Sequence, residues 1–128
     1  MVENYSVEER WMFAEQSYRD NHKFFAGQDD AANFKRVVKG NDNYVDVSGN
    51  RGTSMTIVLF ELPIKSLDLS SSGVKALAGL RGMPLKQLDI SHTQVSSIAP
   101  LVETEIRELN IYDTAAVSYT HLTLPTKA

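Results

Sequence analysis

The sequence predicts an α/β protein in which stacked parallel strands form a right-handed solenoid, closed at its N-terminal end by a helical cap. Two observations support this prediction. Apolar residues recur in register at a spacing of 21 residues between residues 63 and 116, and a unit of this length buries its apolar edge only by stacking on a neighbour. Apolar residues at helical spacing precede these units, in residues 1–41.

The first predicted helix begins at Ser6, because Ser6 and Glu9 form the pattern of a capping box. Gly27 is its predicted end. Its apolar stripe is predicted to consist of Trp11, Met12, Ala14, Tyr18 and Phe25.

A second short helix is predicted to start at Asp29 and Asp30 and to end before Gly40. Its apolar residues are Ala32, Phe34, Val37 and Val38. We expect both helices to cover the end of the solenoid, since an uncapped terminal repeat exposes its core. A separate docking function is the alternative.

Residues 42–62 are predicted to be a degenerate first repeat. At a spacing of 22, Val45, Val47 and Asn50 align with Leu67, Leu69 and Ser72.

The regular repeats, residues 63–116, contain the pattern L-x-x-L-x-L, which predicts a half-buried strand with Leu67 and Leu69 pointing inward. Val74, Leu77 and Leu80 follow at spacings typical of an α or 3₁₀ helix, which forms the convex side. A hydroxyl recurs after each strand, where it can bond to backbone groups that the turn leaves unpaired, at Ser72, Thr93 and Thr114.

The segment GMPLKQLDISHTQVSSIAPL, residues 82–101, resembles the threonine-type leucine-rich repeats of bacterial proteins. The resemblance covers residues 63–116 and implies a leucine-rich-repeat solenoid with a curved parallel sheet. In bacteria such arrays often follow a Ser/Thr protein kinase or another enzyme on one long chain. No Gly-rich loop with a paired Lys, no H-R-D and no D-F-G is present in this sequence.

The last segment, residues 117–128, resembles translated sequencing-adapter read-through. We therefore expect it to be non-native and the natural protein to continue with further repeats. A secretory signal and a run of about 18 apolar residues are absent from the sequence. As written, the chain is expected to be cytoplasmic and not inserted in a membrane.

Composition narrows the possible functions. The net charge of −3 and the absence of a Lys/Arg cluster argue against nucleic acid as a partner. Without cysteine, no thiol nucleophile or Cys-based metal site is possible. The three histidines are scattered, and Asp89, Ser91 and His92 do not form a preorganised catalytic relay because they follow one another along a strand. We expect no enzyme activity, no metal and no cofactor.

Polar strand positions are predicted to line the concave face of the solenoid as columns. These columns are Asp68/Asp89/Asn110, Ser70/Ser91/Tyr112 with His92 beside them, and the basic column Lys65/Lys86/Arg107. Columns of opposite charge suit an extended peptide of mixed charge. Alternatively, the columns are a solvated face in which acids and bases neutralise one another.

The predicted function is a non-catalytic module that binds a protein or peptide on the concave strand face. Two alternatives remain. The chain is a fragment of the repeat array of a larger kinase-like or other multidomain bacterial protein, or it is a structural spacer without a ligand.

Overall fold

A computed structural model describes residues 6–27, 32–51, 58–59 and 62–114. The elements are α1 (Val7–Ala26), β1 (Lys35–Lys39), β2 (Asp42–Asp46), β3 (Ile64–Asp68), β4 (Gln87–Asp89) and β5 (Glu108–Asn110). Short 3₁₀ helices, Ala78–Leu80 and Ala99–Glu103, precede β4 and β5. The predicted helix start at Asp29 and Asp30 and the tail 117–128 lie outside the described residues.

The strands form one mixed sheet in the order β1-β2-β3-β4-β5. β1 and β2 are antiparallel, whereas β2 to β5 are parallel. The predicted solenoid is therefore wrong, because stacked repeats require every neighbouring pair to be parallel. The described chain is a small α/β domain with one α-helix. The reversal occurs at Gly40, whose φ of 63° suits glycine and lets Lys39 pair with Asp42 across a two-residue turn.

The predicted second helix is also wrong over residues 32–39, because residues 32–34 are not helical and residues 35–39 form β1. The spacing of Phe34, Val37 and Val38 fits one face of a helix. Valine, however, is β-branched and favours extended backbone, and the turn at Gly40 brings this segment against β2.

The first predicted helix is confirmed as α1. The Ser6 Oγ accepts a hydrogen bond from the Glu9 backbone N at 3.1 Å, and the Ser6 backbone N donates to the Glu9 Oε1 at 2.9 Å. Gly27 ends the helix, and its N–H donates to the Lys23 carbonyl at 2.9 Å. Of the predicted apolar stripe, Trp11, Ala14 and Tyr18 are buried. Met12 and Phe25 are 69% and 50% exposed, so their placement in the same stripe is wrong.

The alignment of the repeats is confirmed by the strand register. Leu67 pairs with Leu88, and Leu88 pairs with Leu109, so equivalent residues of successive units lie side by side. Val45, which the sequence aligns with Leu67 at a spacing of 22, pairs with Leu67. All four residues are buried in one core. The apolar residues that follow β3 and β4 also belong to this core: Val74, Leu77, Leu80, Val95, Ile98 and Leu101.

The predicted role of the hydroxyls after the strands is confirmed as well. The Oγ atoms of Ser72, Thr93 and Thr114 donate to the carbonyl three residues earlier at 2.6, 2.7 and 2.8 Å. Asn50, aligned with Ser72, makes the same bond through its Nδ2 at 3.0 Å. This recurring bond shapes the turn after each strand of the parallel part of the sheet.

Candidate functional site: the open face of the sheet

A groove of about 470 Å³ crosses β3, β4 and β5 on the side of the sheet opposite the core. Its outward side chains alternate with the buried leucines of these strands. We name as the open face the six half-buried residues whose side chains line it: Ser66, Asp68, Gln87, Asp89, Glu108 and Asn110.

The open face has two rows that run across the strands in register. The middle row is Ser66, Gln87 and Glu108, and the acidic row is Asp68, Asp89 and Asn110. Within the middle row, the Gln87 Nε2 donates to the Glu108 Oε1 at 2.6 Å. Neighbouring strands lie about 4.8 Å apart, so each row is a ladder of polar groups at that spacing.

Each residue of the acidic row is the last residue of its strand, and its side chain bonds to the turn that follows. The Oδ1 atoms of Asp68, Asp89 and Asn110 each accept a hydrogen bond from the backbone N two residues later, at 2.9, 2.9 and 3.0 Å. These are Asx turns, in which a side chain replaces a backbone acceptor. Because each aspartate uses only Oδ1 in its turn bond, its second oxygen remains available for a ligand.

Asp46 holds the equivalent position at the end of β2, where it pairs with Asp68. Partial burial acts to raise the pKa of its carboxyl group, but hydrogen bonds from Ser48 and Asn33 and the charge of Lys35 outweigh it and lower the pKa. The Asn33 Nδ2 donates to Asp46 at 3.1 Å, and the Ser48 backbone N donates at 3.0 Å. The acidic row thus extends to β2.

A basic row, Lys65, Lys86 and Arg107, lines a second groove of about 410 Å³ together with Tyr44, Gln87 and Glu108. Asn43 pairs with Ile64 and Tyr44 pairs with Ser66, so Lys65 is an extra residue in β3 at this point. This irregularity lets Lys65 lie on the same side of the sheet as Ser66.

Two members of the basic row form ion pairs within the chain. The Lys65 Nζ lies 3.3 Å from Asp42, and the hydrogen bond and charge of Asp42 raise the pKa of Lys65. The Lys86 Nζ lies 2.8 Å from Glu105, and the hydrogen bond and charge of Lys86 lower the pKa of Glu105. Exposed pairs of this kind stabilise a fold by only about 0–1 kcal/mol, so they exchange easily for a ligand.

Of the predicted partner-binding residues that follow β4 and β5, one is buried and two are exposed. Ser91 is 6% exposed, and its Oγ donates to the Asp89 Oδ1 at 2.7 Å. His92 and Tyr112 are exposed, with ring centroids 5.5 Å apart. The His92 Nδ1 lies 2.9 Å from the Asp113 Oδ2. Asp89, Ser91 and His92 therefore do not form a relay, because His92 contacts Asp113 rather than the Ser91 hydroxyl.

The sequence reasoning missed Ser66, Gln87 and Glu108, which form the middle of the groove. Strand alternation was the available signal: each residue directly precedes a buried leucine and so points outward. Ser70, predicted to face a ligand, is half-buried and donates its backbone N to Asp68.

Within the part of the chain that the structure describes, no group of three or more His, Asp or Glu side chains is arranged to hold a metal ion. The described helix is not long and apolar enough to cross a membrane.

Comparisons with protein-family models, with curated proteins and with solved structures found no match to this chain. The geometry and charge of the open face are therefore the basis on which a function can be assigned.

Proposed function

We propose that the chain is a non-catalytic interaction module that binds an extended segment of a protein or peptide across the open face. One observation carries the proposal: the groove over β3, β4 and β5 has an acidic row along one side, held in register by the strands, and a basic row beyond its other side. The residues of the basic row are joined by backbone hydrogen bonds from Lys86 N to Lys65 O and from Arg107 N to Lys86 O, both 2.8 Å long.

The dimensions of the open face suit an extended chain. Lys86 directly precedes β4 and Asp89 ends it, so at about 3.3 Å per residue the two rows lie about 10 Å from one another. An extended peptide lying between them presents alternate side chains to opposite sides. Acidic side chains would face the basic row, and basic side chains would face the acidic row. The Ser66 hydroxyl and the Gln87 amide supply hydrogen-bonding groups for the peptide backbone.

Beyond the acidic row, exposed aromatic side chains can add apolar contact. Tyr112 is 65% exposed and lies against His92. Tyrosine offers a large contact area at a small cost in side-chain entropy, which is why it is frequent at binding surfaces.

The test is selection of binding peptides from a random displayed library, followed by affinity measurement. Asp89→Asn removes one charge of the acidic row but keeps the oxygen that accepts the turn bond from Ser91. We expect it to weaken a selected peptide about tenfold, the effect of losing one charged hydrogen bond. Tyr112→Ala should also weaken binding.

The matched control is Asp20→Asn on α1. Asp20 is exposed and accepts a hydrogen bond from Gln16 at 2.9 Å, so this substitution removes the same charge away from the open face. We expect the control to leave the affinity within about twofold, since distant exposed charges are screened by salt. Equal affinities for both variants, or no selected peptide at all, would contradict the proposal and favour a spacer.

A further inference from the structure

A second interaction surface lies at the edge of the sheet formed by β1. β1 is the first strand in the sheet order and pairs with β2. Among the described residues it has no other strand neighbour. Four of its five residues are exposed, including Val37 at 50% and Val38 at 54%. Strand edges carry backbone groups that can pair with another chain.

The hairpin register identifies the backbone groups that face outward. Lys39 pairs with Asp42 across the two-residue turn, and the pairs continue through Val38 and Asn43 to Lys35 and Asp46. The pair that closes a two-residue hairpin exchanges hydrogen bonds, and such pairs alternate along the strands. The N–H and C=O groups of Arg36 and Val38 therefore point away from β2.

The charges of β1 specify the partner. Its five residues include Lys35, Arg36 and Lys39 and no acid. Arg36 is engaged within the chain: it lies 4.1 Å from the centre of the Trp11 ring and donates to Asn43 at 2.9 Å. Lys35 and Lys39 are exposed and share a face with Val37, because all three pair with residues of the outer side of β2.

We infer that the β1 edge binds an acidic, extended segment of another protein, which adds a sixth strand to the sheet. Its pattern is acid-x-aliphatic-x-acid, with the acids opposite Lys35 and Lys39 and the aliphatic residue opposite Val37. A second copy of this chain fits poorly, since antiparallel pairing of β1 with itself about Val37 opposes Lys35 with Lys39, and like charges in direct opposition are destabilising.

The other face of the added strand also has room for side chains. A space of about 320 Å³ lies between α1 and β1. It is lined by Glu8, Trp11, Met12, Glu15, Phe34 and Arg36. Arg36 lines this space, which therefore has room for the side chain of the partner residue opposite Arg36.

The test uses the full chain and three synthetic peptides, with binding followed by ¹H–¹⁵N NMR. The probe is acetyl-TETVTET-amide, whose symmetric sequence presents the pattern in either direction. A second peptide has the same side chains but N-methyl groups on the two threonines that flank valine, and a third has lysine in place of both glutamates. We expect the probe to shift the amide signals of Arg36 and Val38, and N-methylation to weaken binding by about tenfold or more because two backbone hydrogen bonds are lost.

The charge-swapped variant Lys35→Glu/Lys39→Glu gives a gain of binding that an unfolded protein would not show. It should prefer the lysine peptide over the probe by about fivefold, which reverses the preference of the unaltered chain. Equal binding of the N-methylated peptide, or signal changes at Asp68 and Asp89 instead of β1, would overturn edge pairing. Concentration-dependent self-association through β1 would overturn the choice of an acidic partner.

Discussion

Thr93→Val removes the hydroxyl that shapes the turn after β4, where the Thr93 Oγ1 also accepts a hydrogen bond from the Val95 backbone N at 3.4 Å. Thr93 is 6% exposed, and its Oγ1 donates to the Ile90 carbonyl at 2.7 Å. Valine has nearly the same shape as threonine, so the substitution creates no cavity but leaves a buried carbonyl without its partner. Such a loss costs about 1–3 kcal/mol. We therefore expect the free energy of unfolding to fall by about 2 kcal/mol.

Two further variants make this prediction specific. Ser72→Ala removes the equivalent 2.6 Å bond at a half-buried position, where water can replace it, and should cost about 0.5–1 kcal/mol. Thr93→Ser keeps the hydroxyl and loses one methyl group, which costs about 0.8 kcal/mol.

Urea unfolding measures all three variants. A loss of 2 kcal/mol lowers the midpoint by about 1 M at a typical slope, with the slope itself unchanged. If Thr93→Val unfolds at the midpoint of the unaltered protein, or if Thr93→Ser is the less stable of the two Thr93 variants, the assignment of stability to the hydroxyl is wrong.

Three other predictions concern pH and the hairpin turn. Because the pKa of Asp46 is lowered in the folded state, its contribution to stability is present above about pH 4 and is lost as the pH falls. Asp46→Asn should therefore lose less stability than the unaltered protein between about pH 5 and about pH 2, and equal losses would refute this. Burial raises the pKa of Tyr18, so the folded state favours the neutral phenol and loses stability above about pH 10. Its hydroxyl has no hydrogen-bond partner among the described residues, so Tyr18→Phe should reduce the alkaline loss without lowering stability at neutral pH. Gly40→Ala should cost about 1–2 kcal/mol in urea unfolding because Gly40 has a φ of 63°, and Gly40→Asn should cost less; equal costs would argue against backbone strain as the cause.

Features whose interacting residues belong to one recognisable sequence pattern could be predicted from the sequence. The start of α1 follows from Ser6 and Glu9, which bond to one another three residues apart. The in-register pairing of Leu67 and Leu88 follows from their equal place in the 21-residue unit. In both cases the pattern itself contains the interacting groups.

The mixed sheet could not be predicted in the same way. Phe34, Val37 and Val38 fit a helix face by spacing, and only pairing with β2 decides in favour of a strand. That pairing depends on the turn at Gly40, for which the sequence alone predicts the end of a helix. Once this hairpin forms, β1 is antiparallel and the sheet is not a solenoid.

The candidate site was predicted in part. The columns that contain Asp68, Asp89 and Lys86 do lie along the grooves. The Asx turns were missed, although the pattern Asp-x-Ser recurs at residues 46, 68 and 89 and is typical of such turns. The burial of Ser91 was also missed, because it depends on how successive turns pack on one another.

Mapping where a selected peptide binds tests the central claim most directly. ¹H–¹⁵N spectra of the chain would be recorded during titration with a peptide selected from a random library. The proposed function predicts that the shifted amides lie in β3, β4 and β5, including those of Asp68, Gln87 and Asp89, and that Asp89→Asn weakens the shifts. Shifts confined to α1, with β3 to β5 unchanged, would contradict the claim that the open face is the binding site.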